Sequence, residues 1–377
     1  MITYVFKLYH SKKNKRLNKT INLASSIYNH LIALHRRYYR MFNKMIPVYQ
    51  IQLHITKLKK TKRYTFWNYL GSQSIQDIAQ RIDRAYKLFF NNLKRGVRTS
   101  PPCFKKVRKY RSFTLKQAGY KYSGDNEIII MGREYKFFKS REFKGKIKTL
   151  TVKRDALGDF WLYFVTEEEV QAIEARSGKS VGLDFGLKTF LTTSDREKIE
   201  SPLFFRQASR KLKKLSQKLS RKKVGSKNRE KARLDLARMH RKVANQRRDF
   251  HYKLALDIAR RYAAIFVEDL NVKAMQRLWG RKISDLGHSQ FLNILDWQKY
   301  KNGCQGLRIN RFYPSSKQCS ACSYVLPKLE LSMRAWTCPE CGTEHDRDVN
   351  AAINIQRVGA STLKGEDVRL ASASNLC

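Results

Sequence analysis

Residues 319–355 read CSACSYVLPKLELSMRAWTCPECGTEHDRDVNAAINI, and two kinds of chemistry meet in them. Cys319 with Cys322, then Cys338 with Cys341, make two Cys-x2-Cys knuckles about fifteen residues apart, the spacing of a four-thiolate zinc site. Ser320-Ala321 and Pro339-Glu340 suit the tight turns that bring two sulfurs of so short a loop to one ion. Four thiolates leave Zn2+ no open position, so the site reads as structural. Two disulfides are the other use of such cysteines, and they belong to secreted chains; no export signal opens this sequence. Directly after the second knuckle come Asp346, Asp348 and Asn350, leading into an Ala/Ile-rich stretch that predicts a helix over 349–358. A carboxylate at a helix start stabilises the orphan amides and the dipole, so either aspartate serves equally as a cap.

The composition sets the bounds. A chain of 377 residues has room for two or more domains and a full core. Its net charge of +47 at pH 7 predicts a polyanionic partner. Acidic protein or a membrane surface also attracts such a charge, but the interleaved Tyr, Phe and Trp favour nucleic acid, whose bases offer stacking faces. The apolar runs at 160–165 and 262–267 are far too short to span a bilayer. Cys103, Cys304 and Cys377 show no pairing pattern, which predicts a reducing, cytoplasmic setting.

From the front, residues 2–8, ITYVFKL, are rich in β-branched and aromatic residues like a strand, and 12–19 reads as a basic turn. Ile21, Ala24, Tyr28, Leu31, His35, Tyr38 and Phe42 then recur at steps of three and four, the mark of a long amphipathic helix with His35 in its core face. A second helix over 75–93 carries Ile75, Ile78, Ile82, Ala85, Leu88 and Phe89 on one face and presents Gln76, Gln80, Arg84 and Lys87 on the other. Gln and Arg there can read base edges, or simply face solvent. Pro101 and Pro102 end this helical part. Strands are expected over 127–131, 146–153 and 160–166, giving a small antiparallel β-domain into which the first helices are inserted, because the opening strand needs partners beyond them. Residues 167–180 read as a polar linker.

At Val181 the composition changes. VGLDFGLKTFLTTSD suits a buried hairpin whose first strand presents Asp184 among apolar neighbours, although a lone Asp near Gly is also a common turn residue. Over 205–248 Lys and Arg crowd the chain, with only Glu230 and Asp235 as acids, and the break at Gly225-Ser226 predicts two basic helices folded back on each other. Such an excess of one sign repels itself unless phosphates neutralise it, so this face, with Lys211, Lys214, Arg221, Lys222 and Arg248, is the candidate nucleic-acid track. A helix over 251–262 and a short apolar strand over 263–267 follow, the strand delivering Glu268 and Asp269 at its C-terminal lip, and 306–312 reads as one more strand.

Asp184, Glu268 and Asp348 each lie at the edge of an expected core element. If folding gathers them they repel one another unless divalent cations sit among them, and hard oxygen ligands suit Mg2+ or Mn2+. Two such ions about 4 Å apart serve phosphodiester hydrolysis, which agrees with the basic charge.

VGLDFG, then IFVEDLNV, then CSAC, CPECG and HDRDVNAAINI, in that order over the second half of the chain, resemble the three RuvC segments and zinc ribbon of the TnpB family. These are transposon-encoded, RNA-guided DNA endonucleases similar to the type V CRISPR effectors. The resemblance implies a multidomain α+β protein: a wedge-like β-domain from 1–10 and 101–175, a helical recognition domain over 11–100, an RNase H-like RuvC nuclease domain from 176–312 and 345–360 and a zinc ribbon over 313–344; the small residues over 361–377 read as a disordered tail. It implies Asp184, Glu268 and Asp348 as the catalytic triad with Mg2+ or Mn2+, Asp346 as a supporting or capping residue, and Cys319, Cys322, Cys338 and Cys341 on zinc. It also implies a guide RNA made from the transposon end, double-stranded DNA as target, and a short motif beside that target read from the front half, for which Tyr28, Asn29, Gln76, Gln80 and Lys105 are the candidates. The first knuckle departs from the family, which usually has Gly where Ser323 stands. A nuclease-inactive RNA-guided repressor and a guide-free transposase or resolvase are the alternatives; the first lacks carboxylates that are present here, and the DDE order of the second is Asp, Asp, Glu.

Overall fold

The opening strand β1 (Ile2–Leu8) turns Phe6 and Leu8 into the core, and its partners lie more than a hundred residues ahead. The computed structural model describes residues 1–168, 177–330 and 332–365, and the chain divides into two units, Met1–Gln171 and Ala172–Cys377. In the first unit β1 is followed by helices α1 (Asn14–Phe42), α2 (Val48–Lys59) and α3 (Ser72–Lys94), then by β2 (Ser112–Leu115), β3 (Tyr120–Gly124), β4 (Glu127–Ile130), β5 (Arg133–Phe138), β6 (Lys146–Arg154) and β7 (Phe160–Glu167). The strands form one antiparallel sheet in the order β2-β6-β7-β1-β5-β4-β3. β1 is therefore interior, paired with β7 from Ile2↔Thr166 to Lys7↔Trp161 and with β5 on its other edge. Phe6 packs on Phe137 and Phe164 with ring centroids 5.2 and 5.5 Å away, so an aromatic cluster joins three neighbouring strands.

One local expectation for this unit gives way. α1 begins at Asn14, inside the basic stretch expected to be a turn, because Lys and Arg are good helix formers whatever their charge. VYQIQLHITKLK alternates like a strand yet forms α2, where Ile51 and Ile55, one turn apart, are buried together. The helix expected over 75–93 is α3, which ends at Lys94, and just beyond it Gly96 takes the left-handed conformation at φ 66°.

The second unit contains β8 (Ser180–Asp184), β9 (Thr189–Thr193), β10 (Lys198–Glu200), α4 (Phe204–Ser220), α5 (Lys227–Arg261), β11 (Ala264–Glu268), α6 (Val272–Leu286), α7 (His288–Lys301), β12 (Arg308–Ile309), the hairpin β13 (Ala335–Thr337) and β14 (Glu344–Asp346), and α8 (Arg347–Leu363). Its main sheet runs β10-β9-β8-β11-β12, with β8, β11 and β12 parallel and β9 and β10 antiparallel. Helices cover both faces, which is why these strands are apolar runs rather than alternating ones. Val181, Leu183, Ile265 and Val267 face Ile258 of α5 and Phe291 and Leu295 of α7. The residues between them face α8: Phe266 packs with Ile355, and a Cβ on Gly182 would lie 2.0 Å from the carbonyl oxygen of Ala352. Only glycine lets the α8 backbone approach the strand so closely.

Residues 251–262 are not a separate helix but the end of α5, a single helix of 35 residues whose start is capped by the Ser226 hydroxyl accepting from the Arg229 N–H. The strand expected over 306–312 shrinks to Arg308–Ile309, and the last helix is longer than expected, reaching Leu363. Most of the linker expected over 167–180 and of the tail expected over 361–377 lies outside the described residues. No described helix is long and apolar enough to cross a membrane.

Candidate functional site

Strand periodicity decides where Asp184 and Glu268 point. Residues two apart share a face. Asp184 follows Gly182, and Glu268 follows Phe266, so both acids belong to the face that α8 covers. They end neighbouring parallel strands, one step beyond the pair Leu183↔Val267, at the C-terminal lip where ligands of such sheets collect. α8 brings its N-terminus to this lip and carries Asp348 in its first turn.

The two aspartates of α8 divide the work. Asp346 is the cap: its carboxylate accepts from the N–H groups of Asp348 at 3.1 Å and Val349 at 3.0 Å, and from Lys198 at 2.6 Å. Burial works to raise its pKa, but the Lys198 ammonium and the helix amides outweigh it and hold the carboxyl below its usual range. Asp348, one-fifth exposed and 3.5 Å from the Arg334 guanidinium, is the carboxylate whose charge reaches Asp184. Burial first, then the negative charges of Asp348 and Glu268, push the Asp184 carboxyl up to about 7, against a smaller opposite pull from Arg347. Glu268 is also raised, by burial and then by Asp269. The three acids from remote segments therefore share one electrostatic field. Arg347, which opposes it at Asp184, and Lys198, which pairs with Asp346, leave no signal in a sequence already crowded with cations.

Four sulfurs meet nearby in sequence. Among the described residues, Cys319, Cys322, Cys338 and Cys341 are the one group of three or more His, Cys, Asp or Glu whose ligand atoms all lie within 4.8 Å of one another. Asp184, Glu268 and Asp348 interact without being gathered that tightly. The Cys319–Cys341 and Cys322–Cys338 sulfurs are each 3.6 Å apart. A tetrahedral Zn–S length of 2.3 Å requires about 3.8 Å, so the four thiolates fit zinc. Cys319 and Cys338 are buried, the N–H groups of Ala321 and Cys322 point at the Cys319 sulfur from 3.3 and 3.4 Å, and His345 Nε2 is 3.0 Å from it. In the first knuckle Ser323 sits at φ 69°, matching Gly342 at φ 68° in the second, and each N–H donates to the carbonyl of the first cysteine of its knuckle. Serine thus adopts the turn that glycine makes easily, and the departure from the family pattern leaves the turn unchanged.

The knuckle is tied to α8 by two asparagines one turn apart. Asn350 accepts from the Ser320 N–H at 3.0 Å and donates to the Gln318 carbonyl at 2.7 Å; Asn354 donates to the same carbonyl at 2.7 Å and to that of Ser315 at 2.8 Å. Both side chains are 1% exposed, so these contacts fix the helix that carries Asp348 to the loop that carries Cys319.

The remaining candidates are spread over both units. Tyr28 is buried, donating to the Cys103 carbonyl beneath the Lys105 ammonium, which lies 4.8 Å from its ring. Asn29 is paired with the Lys105 backbone through both ends of its amide, at 2.9 Å each. Gln76 is exposed on α3, and Gln80 accepts from Lys116. In the second unit Lys214, Arg221 and Lys222 line a shallow cavity of about 340 Å3 at the end of α4, Lys211 is exposed one turn earlier, and the Arg248 guanidinium lies over the Tyr252 ring on α5.

Two family models match the chain, one described as "Probable transposase" over residues 163–278 and one as "Cas12f1-like, TNB domain" over residues 288–355. A Streptomyces pristinaespiralis protein named "Putative RNA-guided DNA endonuclease" is 29% identical over 361 residues, 94% of this chain and 88% of that one. InsQ of Escherichia coli (strain K12), which carries the same description, is 28% identical over 356 residues, 89% of this chain and 87% of the relative. The Cas12f1 chain of a cryo-EM structure of a Cas12f1-sgRNA-target DNA complex matches the fold with a TM-score of 0.59 at 15% identity, covering 92% of this chain and 83% of that chain.

Proposed function

The chain belongs to the TnpB family, and from that premise we propose that it is an RNA-guided, divalent-metal-dependent DNA endonuclease whose cleaving centre is Asp184, Glu268 and Asp348. One observation carries the reading: Asp184 is buried and feels both Asp348 and Glu268, residues 164 and 84 positions away, and burial first, with those two charges added to it, raises its carboxyl to about 7. A fold gains nothing from gathering like charges at a sheet lip, whereas a cation site requires it. The sheet order, three antiparallel strands followed by two parallel ones, supports an RNase H-like RuvC domain.

Three carboxylates that share a field without closing into one tight cage suit hard cations that keep some of their water. Bound there, Mg2+ or Mn2+ would supply an activated water and a counter-charge for the leaving 3′ oxygen. The chain's own residues do the positioning. Strand parity aims Asp184 and Glu268 at α8; the Asp346 cap fixes the helix start, so the carboxylate turned toward Asp184 is that of Asp348. Cleavage would leave 5′ phosphates. The four thiolates would hold Zn2+ as a structural ion. Guide pairing would supply sequence choice while the protein reads a short adjacent motif and grips the backbone, with the guide RNA derived from the transposon end.

Purified protein should carry a discrete, protected RNA and cut matching DNA in Mg2+. Asp184→Ala should retain the RNA and lose cutting; undiminished cutting by that variant sinks the assignment.

A further inference from the structure

The 3-10 turn Thr65–Leu70 sorts its aromatic residues in an unusual way. In a 3-10 helix, residues three apart lie one above the other. Trp67 and Leu70 therefore face inward together, at 2% and 0% exposure, and Phe66 and Tyr69 face outward together, at 47% and 73%. The outward pair contributes nothing to the core. It forms part of the wall of a cavity of about 800 Å3, whose other walls include Lys12 just before α1, Lys15, Arg16 and Lys19 in its first turns, the neutral side chains that follow them on the helix, and Arg133 at the start of β5. No acid lines the cavity among the described residues, and Lys12, Lys15, Lys19 and Arg133 make no ion pair there. The site lies wholly within the first unit.

We propose that this cavity is a subsite for an unpaired polynucleotide strand, with bases stacked on Tyr69 and Phe66 and phosphates held by the cations of α1 and Arg133. A duplex satisfies the cations equally well but keeps its base faces covered, so exposed rings reward only a strand whose bases are unstacked. The volume suits roughly one or two nucleotides rather than a helix. Phosphodiester and base chemistry are common to RNA and DNA, and the two are separated by the test. The inference rests on the nucleic-acid reading above but not on the cleaving centre.

The test uses the full-length protein in EDTA, with single-stranded oligo(U) and oligo(dT) carrying 2-aminopurine and the matching duplexes as competitors. Stacking on the rings should quench the probe. Tyr69→Ala should remove the quenching and weaken single-strand binding about tenfold, while Tyr69→Phe keeps both. The double variant Lys15→Gln, Lys19→Gln should keep the quenching but flatten the salt dependence by about 1.4 in slope. Stronger quenching with oligo(U) names RNA as the occupant, and with oligo(dT) a DNA strand. Unchanged quenching and affinity in Tyr69→Ala, or equal loss of duplex binding, overturns the subsite. Guided cutting measured in parallel separates the two claims, because wild-type cutting with a silent Tyr69→Ala leaves the nuclease reading intact, and quenching without cutting leaves the subsite intact.

Discussion

The four thiolates come from one stretch of chain and the three carboxylates from three, and the two groups act on the fold with opposite sign. Cys319, Cys322, Cys338 and Cys341 gather within 4.8 Å, at the geometry of an ion that would hold the loop together. Asp184, Glu268 and Asp348 are brought near each other by a sheet and a helix, where burial first and then the other two charges raise the Asp184 carboxyl, so that ionising it works against the fold. Under the proposed reading, a structural metal site would contribute to stability and a cleaving site would be carried at a cost.

The largest test of that contrast is loss of the sulfur cage. Zinc binding of this type is worth about 10–16 kcal/mol, so Cys319→Ala or chelation should release one zinc per chain and strip hydrogen-exchange protection from the β13–β14 hairpin and the first turn of α8. Retained protection there would break the comparison. Next in size, Asp184→Asn in EDTA should do the reverse and stabilise the protein. Asp184 holds its proton to about 7 when folded and near 3.8 otherwise, so metal-free stability falls as pH rises through that window. Denaturation of the variant and the wild type should therefore coincide below pH 4 and separate above pH 7 by at most about 4 kcal/mol, with Mg2+ stabilising the wild type alone. Third, Asn354→Ala removes two buried hydrogen bonds between the knuckle and α8, for about 1–3 kcal/mol, and should slow cutting more than it weakens guide retention. Equal losses of both would mean that Asn354 is only part of the packing. Smallest of all, Ser323→Gly should relieve a left-handed serine and raise stability by about 1 kcal/mol, whereas Gly342→Ser should lower it by as much; a thermal melt with zinc bound reads both.

The same contrast governs what can be read before folding. The thiolates are legible because their spacing is local, and Asp184 and Glu268 stand out as acids ending apolar runs. That both face α8 follows only once β8 and β11 are known to run parallel in register. The division of labour between Asp346 and Asp348 depends on Lys198, which is distant in sequence. Elements show the same limit. The period of three in TFWNYL looks like neither helix nor strand, so the outward Phe66 and Tyr69 stay hidden, and the alternation in VYQIQLHITKLK points away from the helix that Ile51 and Ile55 pack into place. The α+β class and the strands over Ile2–Leu8 and Phe160–Glu167 are plain from β-branched and aromatic runs; what is not plain is the order in which they pair.

The interior place of β1 sets a timetable for biosynthesis. Ile2 pairs with Thr166, so at about 5–20 residues per second the first strand leaves the ribosome on the order of ten seconds before its long partner exists. Through that interval ITYVFKL has two bare edges and a run of β-formers, the profile of a segment that captures other nascent chains. The lysines directly behind it, Lys12, Lys13 and Lys15, act as gatekeepers for that wait. A ribosome that stops short of Glu167 would release a product whose opening segment still seeks a neighbour.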